Sequence, residues 1–259
     1  MSIHATALVD PAARLGRDVV IGPYAIVERE VEIGDGCTIG PHASVLAHTT
    51  LGAGCRLHAG AVVGDWPQDL AFTQEPSYVR VGRNCVIREY VTIHRGTKPG
   101  SETVLGDGCF LMGGSHVAHN AKLGQGVIMA NGSMLAGYVE VGDRAFISGS
   151  VLVHQFVRIG RLAMLGGGCA LTKDVPPFCL VRSLALNRIT CLNLVGLKRA
   201  GMTMEQRQQV KEAFHVLFRQ GVTVTDAVAR MRERFDDGSP AREMAEFAAS
   251  SKRGICRFS

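Results

Sequence analysis

Over most of the chain every sixth residue is aliphatic. The series runs Ile3, Val9, Leu15, Ile21, Val27, Ile33, Ile39, Val45, Leu51, Leu57, Val63, and resumes in phase at Val81, Ile87 and Ile93. It continues from Leu105 through Leu111, Val117, Leu123, Met129, Leu135, Val141, Ile147, Val153, Ile159 and Leu165 to Leu171. None of these 26 positions is polar. Four residues after each, the side chain is small or β-branched, as at Ala25, Val31, Cys37, Ala43, Ser115 and Ala163, and the next residue is often glycine (Gly16, Gly22, Gly34, Gly142, Gly160). A period of six matches neither the helical 3.6 nor the strand 2. It predicts short strands bent at regular corners, three to an 18-residue coil, with coils stacked about 4.8 Å apart. The aliphatic residue fills the prism and the small one fits where the wall turns inward. The expected architecture is an all-β parallel β-helix of hexapeptide repeats over 1–178, followed by an α-helical domain over 179–259.

The pattern breaks twice, at 65–80 (DWPQDLAFTQEPSYVR) and at 98–104 (KPGSETV). Both stretches carry turn and polar residues, so both are expected to protrude as loops, where sites on rigid scaffolds are commonly built. After Pro176 and Pro177 the hexads stop. Thr203 followed by Gln206 reads as a capping box opening a helix that ends near Gly221. Thr223 caps a second helix through Phe235, and Ser239-Pro240 opens a third. Helices there would cover the open edge at the end of the solenoid.

Charge adds one feature. Residues 180–259 hold 14 Lys and Arg against 8 Asp and Glu, while 1–179 hold 14 against 15. The net charge of +5 therefore sits at the C-terminal end, as a solvated helical surface or a docking face for an acidic partner or phosphorylated ligand. No nucleic-acid-binding module is evident. No apolar run is long enough for a transmembrane helix, and the first residues do not read as a signal peptide, so a cytoplasmic protein is expected. Of the eight cysteines, Cys37, Cys55, Cys85, Cys109 and Cys169 share the small inward slot, where a thiol packs as a small hydrophobe.

The hexad phase also places the histidines. His119 falls at the third position of its hexad, a corner, with its side chain expected outward. One coil along is Gly137, and another coil along is Gln155. An outward imidazole beside a glycine with an unshielded N–H suits a general base next to an oxyanion donor. His94, His116 and His154 lie at or near corners as well. The three-residue separation of His116 and His119 does not match the histidine spacing of the zinc-binding γ-type carbonic anhydrases, so neither metal nor cofactor is expected.

Several strings make the reading specific: PQDL (67–70), IRE (87–89), VTIHRGT (91–97), HVAH (116–119), LAG (135–137), VHQF (153–156), DVPP (174–177) and GLKR (196–199). In these the chain resembles the UDP-N-acetylglucosamine acyltransferases of lipid A synthesis. The resemblance implies a left-handed coil and a homotrimer with sites between subunits. It implies a 3-hydroxyacyl donor on acyl carrier protein, and the 3-hydroxyl of a UDP-linked amino sugar as acceptor. By it, His119 is the base and the Gly137 N–H the oxyanion donor. Gln68 and Asp69 contact the sugar or the donor's linker, while His94, His116 and His154 line the cleft, with Tyr138 and Gln155 beside them. Gly167 leaves a long acyl groove, Asn193 and Arg199 contact the nucleotide, and the basic helices suit the acidic carrier protein.

The family pattern is not matched everywhere. Asn120 stands where an Asp usually follows the catalytic His, Ala71 replaces a lysine and Tyr138 a histidine. Val195 and Ala200 replace a carboxylate and an arginine of the nucleotide site. By the 18-residue period Tyr138 is expected to stack on Asn120. Two other readings fit these departures: a related acyltransferase with a changed acceptor, or a non-catalytic scaffold that binds carrier protein or sugar nucleotide.

Overall fold

The structure, a computed structural model, describes residues 1–258. The hexads form a three-sided parallel β-helix. Its first face begins with Ser2–Ile3, its second with Leu8–Val9 and its third with Arg14–Leu15. Each strand pairs in register with the strand one coil on: Ser2 with Val20, Leu8 with Ile26, Arg14 with Glu32. The hexad aliphatics from Ile21 to Leu171 are buried in the prism.

Two constraints explain why the repeat has six residues of fixed kinds. Three residues after most of the aliphatic ones, the backbone turns into the left-handed region, as at Asp18, Tyr24, Asn84, Asn120, Tyr138 and Phe156. Such a conformation is costly for a non-glycine residue and persists only where its surroundings dictate it. Here the coils above and below do so. The residue just after the aliphatic one faces the neighbouring coil at close range. A Cβ on Gly34 would stand 2.6 Å from the Ala53 amide nitrogen, which is why glycine recurs there. The cysteines are free, and the inward ones form a ladder. Cys37, Cys55 and Cys109 donate to the carbonyls of Gly52, Gly82 and Gly124 at 3.0–3.2 Å.

The first protruding loop, 66–77, is shorter than its sequence break, and the second, 95–101, is as long as its break but begins three residues earlier. Tyr78–Val81 and Glu102–Leu105 are four-residue strands that pair Tyr78 with Glu102 and Val81 with Leu105. Arg80 and Glu102 pair outward along regular strand while Thr103 turns inward, so the polar margins of the breaks are strand rather than loop.

At the C-terminal end Cys179–Val181 still extends the first face, and Arg188–Leu192 folds back antiparallel on it. Four helices follow: α1 (Leu194–Arg199), α2 (Met204–Arg219), α3 (Val224–Arg234) and α4 (Pro240–Ala249). Thr203 and Gln206 form the reciprocal capping box, and Thr223 and Ser239 cap α3 and α4. The short α1 and the returning strand were not legible in the sequence. The strand Arg257–Phe258 then joins Arg188–Leu192. Asp174, 1% exposed, locks this closure: it accepts from the Arg158 backbone N–H at 2.9 Å, Arg158 Nε at 3.1 Å and Ser251 Oγ at 2.8 Å. No helix is long and apolar enough to cross a membrane among the described residues.

Candidate active site

Both loops leave the prism at the corner between the second and third faces. The first joins the second-face strand Val62–Asp65 to Tyr78–Val81, and the second joins Thr92–His94 to Glu102–Leu105. One coil farther on, the same corner carries His119, then Gly137, then Gln155. The sequence interruptions and the candidate base therefore meet on one edge because a single corner column produces both.

His119 lies outside the prism but is not the open surface residue its position predicted. It is 9% exposed. The first loop brings Asp69 Oδ2 to 3.8 Å from His119 Nε2, and the Tyr138 ring meets the imidazole edge-on at 5.4 Å. Tyr138 stacks on Phe156, the next residue of its column, rather than on Asn120; its backbone N–H donates to the His119 carbonyl. The left-handed corner swings the aromatic ring past the amide onto the imidazole.

Asn120 settles which imidazole nitrogen carries the proton. Its Oδ1 lies 3.1 Å from His119 Nδ1 and accepts the backbone N–H of Thr97 at 3.0 Å. A backbone N–H only donates, so the Asn120 atom shared by both must be the oxygen. The Nδ1 facing that oxygen must then carry the hydrogen, which leaves the lone pair on Nε2. Thr97 also donates through Oγ1 to Asp69 Oδ2 at 3.2 Å, and Asn120 N–H donates to Thr103 Oγ1 at 2.7 Å. One threonine of the second loop thus ties Asp69 and Asn120 together. Thr97 and Thr103 were not singled out from the sequence; the in-register stacking of the corner brings them in.

The Gly137 amide completes the arrangement. At the third–first corner the amide two residues after a hexad aliphatic can donate to a carboxylate one coil on: Arg17 to Asp35 and Gln125 to Asp143 at 2.8 Å, Arg83 to Asp107 at 2.7 Å. Gln155 stands at the corresponding place for Gly137, and the Gly137 N–H has no hydrogen-bond acceptor among the described residues. It is a donor suited to an anionic oxygen and left free. A Cβ on Gly137 would lie 2.5 Å from His119 Nε2, so only glycine lets the imidazole lie against this amide.

Electrostatics divides the titratable groups. The Ala71 amide, with the Thr97 hydroxyl and the nearby His119, holds the Asp69 carboxyl below the usual carboxylate range. Burial lowers His94, and burial with the neighbouring His94 and His119 rings brings His116 down to about 4. His116 Nδ1 lies 2.7 Å from Thr92 Oγ1, and the His94 and His116 rings meet edge-on at 4.9 Å. Both are neutral at pH 7; His116 is a wall of the groove, and His94 packs against it without lining the groove. His116, His119, Gly137, His154, Gln155 and Gln68 line one groove of about 570 Å³, floored by Ala118, Met134, Leu152 and Ala170.

Three expected residues lie elsewhere in the chain. Gly167 sits at the first–second corner, where an added Cβ would meet nothing closer than the Gly149 carbonyl at 3.6 Å. Asn193 spends its side chain locally: Oδ1 accepts from Gly196 N–H and Nδ2 donates to the Leu162 carbonyl, both at 3.0 Å. Arg199 is exposed at the end of α1, which docks by the third–first corner. The fold of one chain does not bring these two to His119.

Comparison with known proteins fits this geometry. A model of the second domain of UDP-N-acetylglucosamine O-acyltransferases matches residues 174–256, and bacterial transferase hexapeptide repeats match 12–47, 30–65 and 102–137. The acyl-[acyl-carrier-protein]–UDP-N-acetylglucosamine O-acyltransferase of Trichlorobacter lovleyi is 52% identical over 99% of this chain and all of its own length. The protein of the same name from a Sulfurihydrogenibium species is 55% identical over 98% of this chain and 94% of its own. The crystal structure of the Bacteroides fragilis UDP-N-acetylglucosamine acyltransferase superposes with a TM-score of 0.94 at 36% identity, covering 98% of this chain and all of that one. The Campylobacter jejuni enzyme superposes at 0.93 and 37% over the full length of both.

The chain belongs to the UDP-N-acetylglucosamine O-acyltransferase family.

With the repeats, this likeness makes the coil left-handed. The departures from the family pattern can now be placed. Asn120 keeps the imidazole oriented without a carboxylate. Ala71 contributes its backbone N–H to Asp69 Oδ1 at 3.0 Å, a contact indifferent to the missing lysine side chain. Val195 and Ala200 lie on or at the end of α1, away from His119.

Proposed function

We propose that His119 is the general base of an acyl transfer in which the acyl group passes from acyl carrier protein to the 3-hydroxyl of UDP-N-acetylglucosamine. The chain is an acyl-carrier-protein-dependent O-acyltransferase, acting at the first step of lipid A biosynthesis. His119 Nε2 takes the hydroxyl proton as that oxygen attacks the thioester carbonyl. The Gly137 N–H receives the developing oxyanion. The intermediate collapses, the carbon–sulfur bond breaks, and the imidazolium returns its proton to the departing thiolate. Asn120 holds the Nδ1 hydrogen throughout, and Asp69 faces the charge that forms on the ring. The observation carrying this reading is the Thr97–Asn120–His119 chain of hydrogen bonds beside the unclaimed Gly137 amide.

Gln68 and Asp69 contact the sugar or the donor's linker, while His94, His116, Tyr138, His154 and Gln155 shape the cleft. The donor is a 3-hydroxyacyl chain, and the open space at Gly167 supports a long one. Asn193 and Arg199 reach the nucleotide from a neighbouring subunit of a homotrimer. Exposed Leu8, Ile26, Met134 and Leu152 on the second face support such association. The free cysteines fit the reducing cytoplasm. The test is transfer from 3-hydroxyacyl carrier proteins to UDP-N-acetylglucosamine. His119→Ala should abolish turnover while leaving assembly and substrate binding intact; full turnover by that variant would refute the base.

A further inference from the structure

The tail that follows α4 returns to the groove. Arg253 Nε donates to the Thr172 carbonyl at 2.9 Å, and Arg253 Nη2 lies 3.4 Å from His154 Nδ1. Thr172 and His154 both line the groove that holds His119. Arg253 is partly exposed and has no carboxylate partner among the described residues, nor have the adjacent Lys252 and Lys173. Asp174, next to Lys173 in the chain, is already occupied by Arg158 and Ser251. The end of the groove away from the loops therefore carries uncompensated positive charge, with a guanidinium held through Nε on Thr172 and Nη2 against His154 and with Nη1 unclaimed among the described residues.

We propose that Arg253, with His154 beside it, binds the phosphate of the donor's phosphopantetheine arm. The subsite rests on the carrier-protein donor proposed above. Ala118, Ala136, His154 and Thr172 occupy successive coils of one column, so Thr172 stands three coil rises, about 14 Å, from the His119 level. Thirteen bonds separate phosphorus from sulfur in phosphopantetheine. At the reach of an extended backbone they span about 15 Å. Arg253 extends from the Thr172 level to His154, two to three coil rises or about 10–14 Å from the His119 level, so a phosphate held there leaves the thioester within reach of His119 and Gly137. Arginine suits the role because its planar fork forms charge-assisted hydrogen bonds to phosphate oxygens.

The test compares two 3-hydroxyacyl thioesters, of phosphopantetheine and of pantetheine, by equilibrium binding to wild-type protein, Arg253→Gln and Arg253→Lys. Wild-type protein should bind the phosphorylated thioester about tenfold tighter. Arg253→Gln should lose that preference while its affinity for the pantetheine thioester stays unchanged, and Arg253→Lys should recover part of the preference. Equal loss for both ligands would make Arg253 a structural anchor of the tail and overturn the proposal. So would a wild-type protein indifferent to the phosphate. Turnover of acyl carrier protein by the wild type, followed in parallel, reports on the reaction alone, because the binding comparison needs no turnover.

Discussion

Gly137→Ala adds one methyl group, and the structure says where it goes. The Gly137 backbone is not in the left-handed region, so alanine meets no backbone strain there. Its Cβ would stand 2.5 Å from His119 Nε2 and 3.1 Å from Nδ1. Ordinary contact needs about 3.4 Å or more between such atoms, so the imidazole must retreat by about 1 Å. That retreat breaks the 3.1 Å pairing of Nδ1 with Asn120 and takes the base out of line with the Gly137 N–H. A misplacement of about 1 Å costs on the order of 100-fold in rate, near 2.7 kcal/mol of barrier. The overpacking costs about 1–3 kcal/mol of stability. Steady-state kinetics should show the loss in kcat, and denaturant unfolding should show a folded protein. Gly149→Ala is the steric control. Gly149 holds the equivalent corner position, and its Cβ would meet only the Asn131 carbonyl oxygen, at 3.4 Å. That variant should stay within about twofold of wild type, since surface changes outside a contact network cost little. If Gly137→Ala kept more than a third of wild-type kcat, or if both variants lost activity equally, the close fit of imidazole and amide would not be what the site depends on.

Asn120→Leu removes the oxygen shared by Thr97 and His119, and kcat should fall tenfold or more; Asn120→Asp restores an acceptor and should retain activity across the neutral pH range, as pH–rate profiles would show. Stability should fall on acidification through His116. Its pKa is near 4 folded against 6.5 unfolded, so the unfolded chain binds more protons between those values. The full contribution, up to about 3 kcal/mol, is present above pH 6.5 and lost progressively toward pH 4, and His116→Gln should flatten that part of a melting-temperature profile. Asp174→Ala leaves Arg158 and Ser251 without their shared acceptor at the solenoid's end. Calorimetry should record a loss of about 3 kcal/mol, and no change would mean the helical closure does not rest on that carboxylate.

The sequence by itself determined the coil. An aliphatic residue every six places, with small residues where the wall turns, can be buried only in a three-sided solenoid, and strict stacking then dictates that residues 18 apart are neighbours. His119 beside Gly137 follows from that arithmetic, as does the inward cysteine ladder. Capping residues fixed the starts of α2, α3 and α4, since Thr203, Thr223 and Ser239 satisfy the first helical amides locally. The sequence was silent wherever partners come from across a break in the repeat. Thr97 and Thr103 reach Asn120 from 23 and 17 positions away because loop and strand return to the same corner. Arg253 meets His154 across 99 residues because the tail folds back along the groove. The covering of His119 by Asp69 and the turn of Tyr138 onto the imidazole likewise depend on loop path and a left-handed corner, which no hexad periodicity encodes. Local repetition sets the scaffold because each coil repeats the same contacts; the site is decided by the tertiary structure, because its hydrogen bonds join segments that the repeat does not relate.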